Sequence, residues 1–156
     1  MHAMWLWTLV LALVAAVAQA SHVLDLTQTA DYDAVVGKSA GAMVEFFAPW
    51  CGHCKRLAPT YEKLAELYAA DAQASKQVRI AKMDGTENDL PPHADIQLTG
   101  FPTIVLKPAG KHAREFIVYD GDRTLESLSD FVATQGKNKA KISVPAPEQP
   151  VKHDEL

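Results

Sequence analysis

The chain has 156 residues, of which 48% are hydrophobic and 22% charged, and its formal net charge is −4. This size and composition suit one globular domain with an ordinary charged surface and short additional segments. The negative charge gives no basic footprint for nucleic acid, and two cysteines are too few for a disulfide-rich scaffold.

The first 20 residues have the pattern of a secretory signal peptide. An uncharged apolar stretch covers residues 6–17, and Ala18-Gln19-Ala20 is a small-x-small cleavage site. The n-region departs from the usual pattern because it contains no Lys or Arg. We expect cleavage after Ala20, which would leave no membrane segment. The alternative is an uncleaved anchor, although the apolar stretch is short for a membrane span.

Strand and helix patterns alternate in the next part of the chain. A short strand is predicted over residues 23–26, and helical spacing covers residues 27–39. Residues 42–48 are apolar on both faces, which predicts a central strand covered by helices. A long helical pattern follows over residues 51–72, and we expect Pro59 to interrupt and kink it.

Strands and turns follow the long helix. Strands are predicted over residues 78–84 and 103–107, and the segment between them is too rich in proline for a full helix. A turn at residues 108–111 leads to residues 115–119, which we expect to pair back as a hairpin.

The C-terminal part combines a helix with a polar tail. The helix is predicted over residues 124–135, with Thr124 or Ser127 as its N-cap and Gly136 as its stop. The predicted domain therefore spans residues 21–136. Residues 137–156 contain three prolines and no periodicity, which predicts a disordered tail.

The last four residues, His153-Asp154-Glu155-Leu156, have the pattern of an endoplasmic reticulum retention signal that a receptor reads. A signal peptide at one end and this tetrapeptide at the other predict a protein of the endoplasmic reticulum lumen. Disulfides form in that compartment, so a pair of cysteines there can serve redox chemistry.

Both cysteines lie in the pentapeptide Trp50-Cys51-Gly52-His53-Cys54, between a predicted strand and a predicted helix. Unpaired N–H groups and the partial positive charge of a helix start would stabilise a thiolate at Cys51. Cys54 lies one turn further on the same face, where it can attack a mixed disulfide on Cys51. The pattern therefore favours a redox-active pair that forms a disulfide.

Two other interpretations of the cysteine pair are weaker. Half of a structural zinc site would need a second pair of ligands, and the chain has no second pair of cysteines. An inert structural disulfide would close a loop of two residues, which constrains the unfolded chain very little.

The order β-α-β-α-β, then a break, then β-β-α, resembles a thioredoxin-like α/β domain with a central mixed β-sheet flanked by helices. The segments that resemble a catalytic domain of protein disulfide isomerase are residues 44–55, 80–84, 100–103 and 119–124. Residues 88–91 resemble the second, a-prime, domain of those enzymes, in which proline shortens the third helix. The full-length enzymes carry two catalytic and two non-catalytic domains, whereas this chain has room for one. A truncated product of a longer gene is therefore an alternative.

The resemblance implies roles for the residues of the motif and for two charged residues nearby. Cys51 would attack the client and Cys54 would resolve the mixed disulfide, with Gly52 and His53 between them. A protonated His53 would stabilise the thiolate and make the disulfide more oxidising.

Glu45 resembles the buried glutamate of the family, which takes and returns the proton of the second cysteine, and Lys82 resembles its partner. Arg123 resembles an arginine that swings towards the site and favours ionisation of Cys54. The alternatives are that Glu45 lies at a strand end in water, that Lys82 and Arg123 are surface cations, and that His53 is an exposed spacer.

The resemblance also implies a substrate-binding surface. Pro102 corresponds to the cis-proline of the family, and the backbone of Phe101 beside it would pair with an extended client. Trp50 would form part of the apolar rim of the site, with plain core filling as the alternative.

The predicted function is that of a protein-disulfide oxidoreductase and isomerase acting on cysteines of client proteins. Glutathione or a lumenal oxidase would be its redox partner, and no metal, organic cofactor or nucleic acid is implied. The alternative is a non-catalytic escort that holds clients by a mixed disulfide or by surface contact. Cys54 and Glu45 argue against an escort, because binding alone needs neither a resolving cysteine nor a proton relay.

Overall fold

The computed structural model describes residues 20–27, 29–36, 39–90, 96–110 and 116–146. Several predictions fall outside these ranges, namely those for the signal peptide up to residue 19, the proline-rich residues 91–95, the start of the hairpin strand and the C-terminal tetrapeptide. Within the described ranges, none of the helices combines the length and the apolar character that a membrane-spanning segment needs.

The described elements follow the predicted order. The helices are α1 (Thr29–Val35), α2 (Gly52–Ala70), α3 (Ala74–Gln77) and α4 (Leu125–Gln135). The strands are β1 (Leu24–Asp25), β2 (Gly41–Phe47), β3 (Val78–Asp84), β4 (Thr103–Lys107) and β5 (Ile117–Tyr119). Only the one-turn helix α3 has no counterpart in the sequence-based prediction.

The five strands form one mixed sheet in the order β1-β3-β2-β4-β5. β3 runs parallel to both β1 and β2, whereas β4 is antiparallel to β2 and to β5. β2 is the middle strand, and every residue from Gly41 to Phe46 is buried. The prediction of a central strand covered on both faces is therefore confirmed.

Alternating side chains of β2 separate the core into two layers. Met43 packs with α2 and α4 in one layer, in a cluster that includes Tyr61, Leu64 and Leu128. Val44 and Phe46 pack in the other layer with Tyr32 of α1. Because Glu45 alternates with Val44 and Phe46, its side chain lies on the face covered by α2.

Helix α2 differs from its prediction because it continues through Pro59 without interruption. Pro59 lies on the exposed face of the helix. The proline removes one backbone donor, whereas the buried stripe of Leu57, Tyr61 and Leu64 continues on either side of it. Packing of that stripe therefore outweighs the local effect of the ring.

Helix α4 begins and ends where the sequence predicts. Thr124 is the N-cap, and its Oγ1 accepts a hydrogen bond of 3.2 Å from the backbone N–H of Ser127. The N–H of Gly136 donates to the carbonyl of Val132 at 3.0 Å and ends the helix. Of the two candidate caps, Thr124 is therefore the one that is used.

Residues 137–146 differ from the predicted disordered tail, because they lie against the domain. Ala140 is 1% exposed and Ile142 is 7% exposed. The hydroxyl of Tyr68 donates to the carbonyl of Ala140 at 3.1 Å, and the side-chain amide of Asn138 donates to the carbonyl of Gln77 at 3.1 Å. The folded unit therefore extends beyond the predicted boundary at residue 136.

Candidate active site

The two cysteines form a disulfide at the N-terminus of α2. Cys51 is the N-cap residue, and its sulfur accepts a hydrogen bond of 3.1 Å from the backbone N–H of Cys54. Both residues are 6% exposed, so burial does not distinguish them. The helix distinguishes them instead, because its free N–H groups face the sulfur of Cys51.

An apolar rim lies beside the disulfide. The ring of Trp50 is 72% exposed, which excludes core filling, and it contacts Phe101 edge to face with 6.0 Å between ring centroids. Phe101 also packs against the disulfide together with Phe47. The Phe101–Pro102 peptide bond is cis, as the resemblance implied.

Gly85 supports this rim, although it is not among the site residues predicted from the sequence. A Cβ atom at this position would lie 2.8 Å from the ring of Phe101 and 2.9 Å from the side chain of Leu98. The backbone N–H of Gly85 donates to the carbonyl of Phe47 at 3.0 Å. The lack of a side chain therefore lets Phe101 approach the end of β3, and no sequence pattern indicates this contact.

His53 is exposed at the start of α2, and its Nδ1 lies 2.9 Å from a guanidinium nitrogen of Arg56. A guanidinium only donates hydrogen bonds, so Nδ1 of His53 is the acceptor in this contact. Arg56 adds a fixed positive charge at this point, which sequence reasoning missed. The spacing of three residues on a helix is the signal that could have indicated the contact.

Glu45 is 4% exposed, so it does not reach water from a strand end. Burial raises its pKa from 4.5 to about 7, and the charges of Lys82 and then Arg123 oppose this rise. A carboxyl with this pKa can both release and accept a proton close to neutral pH.

Lys82 lies directly across from Glu45 in the parallel register of β2 and β3. Its ammonium forms an ion pair with Asp25 of β1, with 3.4 Å between Nζ and Oδ2. It also lies 5.6 Å from the ring centroid of Phe47. Lys82, the predicted partner of Glu45, therefore forms its ion pair with Asp25 and affects the pKa of Glu45 through its charge.

Arg123 is exposed in the segment that precedes α4, as the alternative interpretation has it. Its charge nevertheless acts on Glu45 by lowering the pKa of that carboxyl. The hydroxyl of Tyr119 donates a hydrogen bond to the backbone carbonyl of Asp122 and so holds this segment against β5.

Tyr61 joins β2 to β3 beside this group of charges. Its buried hydroxyl lies 3.0 Å from the carbonyl oxygen atoms of both Met43 and Ala81. Burial and then the charge of Glu45 raise the pKa of Tyr61 well above its usual value. Tyr61 therefore stays neutral and maintains the register that places Lys82 opposite Glu45. In the sequence, Tyr61 stands only as one position of the helical pattern over residues 51–72.

A cavity of about 190 Å³ connects Glu45 with the disulfide. Its lining residues are Glu45, Phe47, Ala48, Pro49, Cys54, Lys55, Ala58 and Lys82. The space is wide enough for water, and Glu45, Lys55 and Lys82 are the charged residues among its lining. Glu45 and Cys54 therefore line the same space beside the disulfide.

Within the described residues, no group of three or more His, Cys, Asp or Glu side chains is placed to hold a metal ion. The cysteine pair is in the disulfide state, and the chain contains no further cysteine.

Fold and site together place this chain in the class of thioredoxin-fold domains with a redox cysteine pair. The thioredoxin family model matches residues 23–134, and the chain belongs to this family. The first thioredoxin domain of mouse protein disulfide-isomerase A4 superimposes with a TM-score of 0.59 at 28% identity. That match covers 86% of this chain and 87% of the mouse domain.

Curated relatives are named protein disulfide-isomerase. One from Humicola insolens is 47% identical over 114 residues, covering 73% of this chain and 21% of the relative. Another from Saccharomyces cerevisiae is 52% identical over 94 residues, covering 60% of this chain and 17% of the relative. The chain therefore spans about a fifth of the length of these relatives.

Proposed function

We propose that this chain is a protein-disulfide oxidoreductase and isomerase that acts on cysteines of client proteins. The observation that carries the proposal is the Cys51–Cys54 disulfide at the helix start, with the buried carboxyl of Glu45 on the same cavity. The names of its relatives support the same activity.

Oxidation of a client begins when a client thiolate attacks Sγ of Cys51. The Cys51–Cys54 bond breaks, a mixed disulfide forms, and the sulfur of Cys54 leaves as a thiolate that takes a proton. A second client thiolate then attacks the client sulfur of the mixed disulfide, and Cys51 leaves as a thiolate. Two electrons pass from the client to the domain, and the same steps in reverse reduce or rearrange a client disulfide.

Glu45 would supply the proton that Cys54 takes and would accept it again in the reverse direction. A pKa of about 7 suits this role, because both protonation states of the carboxyl are then populated at neutral pH. The helix N-terminus and the guanidinium of Arg56 would stabilise the thiolate of Cys51 when it leaves.

The client would lie along the rim formed by Trp50, Phe101 and Pro102. Strand-like hydrogen bonds to the backbone at Phe101 would bind any extended segment, because they do not depend on client side chains. The apolar rings would contact residues that flank the client cysteine. This arrangement suits many clients rather than one.

The two ends of the chain support a location in the endoplasmic reticulum lumen. Residues 1–20 would be removed as a signal peptide, and His153 to Leu156 would bind a retention receptor. Glutathione or a lumenal oxidase would then restore the disulfide after each oxidation of a client.

Deletion of the last four residues should send the protein to the medium without a change in activity. Retention after that deletion would contradict this part of the proposal.

Trapping of clients tests the activity. Cys54→Ser should accumulate mixed disulfides between Cys51 and client proteins, and Cys51→Ser should accumulate none. Wild-type protein with a glutathione buffer should oxidise many equivalents of a dithiol peptide, as measured by mass spectrometry. A protein that binds clients but completes no more than one turnover would be an escort and would contradict the proposal.

A further inference from the structure

A row of three charged residues crosses three neighbouring strands of the sheet. Asp25 of β1 is in register with Lys82 of β3, and Lys82 is in register with Glu45 of β2. The next position of the row, in β4, is the buried Ile104. Along this row, Glu45 therefore has a charged neighbour in β3 and an apolar neighbour in β4.

The row lies on the face of the sheet that α2 covers. Ile80, two positions before Lys82 in β3, packs in the same core layer as Met43, two positions before Glu45 in β2. Side chains two positions apart share a face, so Lys82 and Glu45 lie on this side too. On this face of the sheet, the apolar pair Met43 and Ile80 is thus followed, two positions further along β2 and β3, by the charged pair Glu45 and Lys82.

Asp25 fixes the ammonium of Lys82 at the outer side of this row. Its Oδ2 lies 3.4 Å from Nζ of Lys82, and the side chains are 53% and 35% exposed respectively. The backbone N–H of Leu26 donates to the carbonyl of Lys82 at 2.9 Å and holds β1 against this point of β3. An ion pair this exposed adds little to the free energy of unfolding. Its geometry nevertheless places the ammonium on the β1 side of β3.

We propose that Asp25 is a positioning residue, which holds the ammonium of Lys82 on the β1 side of β3 and so keeps it from pairing closely with Glu45. With the cation held away, Glu45 keeps a proton near neutral pH and can exchange it with Cys54. This inference rests on the proposed proton exchange between those two residues.

Several groups face Glu45 and set the sign of the expected effect. They are Lys82 from β3, Arg123 from the segment before α4, and Lys55, Tyr61 and the disulfide-bonded Cys54 from α2. Removing the charge of Asp25 frees Lys82 to approach Glu45 and also removes a nearby negative charge. Both changes favour the carboxylate, so the pKa of Glu45 should fall.

A titration of the Glu45 carboxyl carbon by ¹³C NMR tests the inference in the disulfide form, in which Cys54 does not titrate. The wild-type midpoint is expected at about 7. Asp25→Asn should lower it by roughly 0.3 to 1 pH unit, and Asp25→Glu should restore it. Glu66→Gln is the matched control, because Glu66 forms an exposed ion pair with Lys63 elsewhere on α2; it should leave the midpoint in place.

The Lys82→Gln background separates positioning from the direct effect of charge. If Asp25 acts through Lys82, Asp25→Asn should shift the midpoint much less in this background. An unchanged midpoint in Asp25→Asn, an equal shift in the Lys82→Gln background, or an equal shift in Glu66→Gln would each overturn the inference.

The proposed function can fail separately. If Glu45→Gln turns over clients as fast as wild type, the proton exchange is wrong, although the carboxyl titration still reports whether Asp25 positions Lys82. If instead Glu45→Gln is slow and Asp25→Asn leaves the midpoint unchanged, the proton exchange holds and the role of Asp25 does not. Asp25→Asn should also shift the pH profile of single-turnover exchange to lower pH, which a purely structural role would not do.

Discussion

Glu45 and Cys54 line one cavity of about 190 Å³, the first from the middle strand of the sheet and the second from the first turn of α2. Both residues are buried, and this cavity is the space that they share. The pH behaviour of the site should therefore depend on Glu45.

Glu45→Gln should keep the fold and slow client turnover by roughly a hundredfold or more, because a positioned acid or base typically contributes about 10²- to 10⁴-fold. The slow step should be the one in which the sulfur of Cys54 gains or loses a proton. Stopped-flow measurement of a single turnover with a peptide disulfide isolates that step, with Glu66→Gln as the control. Equal rates for wild type and Glu45→Gln would contradict the proton exchange.

The stability of the disulfide form should fall as pH rises. Glu45 has a pKa of about 7 in the folded chain and about 4.5 when unfolded, so the folded state keeps a proton that the unfolded state releases. The favourable contribution is complete below pH 4.5 and is lost as the pH approaches and passes 7. The loss amounts to about 3 kcal/mol.

Glu45→Gln removes this dependence, so the variant should be more stable than wild type at pH 8 and similar to it at pH 4. Urea unfolding of both proteins at the two pH values measures the difference. If the difference in the free energy of unfolding between wild type and Glu45→Gln is the same at both pH values, the pKa of Glu45 is not raised.

Cys51 should react with iodoacetamide before Cys54 in the reduced protein at mildly acidic pH. The two residues are equally buried, so the difference must come from the helix N-terminus, which favours the thiolate of Cys51. Peptide mapping after a short exposure to the reagent gives the order of modification. Faster modification of Cys54 would reverse the assigned roles.

Ile142→Ala should destabilise the domain by about 2 to 3 kcal/mol, the lower part of the range for a buried Ile→Ala change, because the side chain lies at the edge of the core. Lys141→Ala is the control in the same segment, since Lys141 is exposed. Thermal unfolding should separate the two variants clearly. Equal stability of both would show that residues 137–146 contribute little to folding.

Much of the fold follows from local pattern. The strand β3 has the predicted limits because a run of alternating and buried residues ends at Asp84, and β4 follows the same logic from Thr103 to Lys107. The position of the cysteines after an apolar strand predicted their place at a helix start. These features depend on neighbours in sequence.

The features that sequence reasoning missed depend on contacts across the fold. Ile142 stands among polar residues and prolines, so its burial cannot be inferred without the surface that it meets beside α2 and α4. Asp25 stands in a strand of two residues, and only the register with Lys82 connects it to the site. The cis peptide at Pro102 was inferred from the family resemblance, because proline alone does not favour it.

The exposed indole at the rim has a practical consequence. The chain contains three tryptophans, of which Trp5 and Trp7 lie in the predicted signal peptide, and Trp50 is adjacent to Cys51. A disulfide accepts an electron from an excited indole and so quenches its fluorescence, whereas a dithiol does so much less. In a chain from which residues 1–20 have been removed, all tryptophan emission would come from this one ring. Oxidation and reduction of the cysteine pair could then be followed in real time by intrinsic tryptophan fluorescence, without a label or a coupled assay.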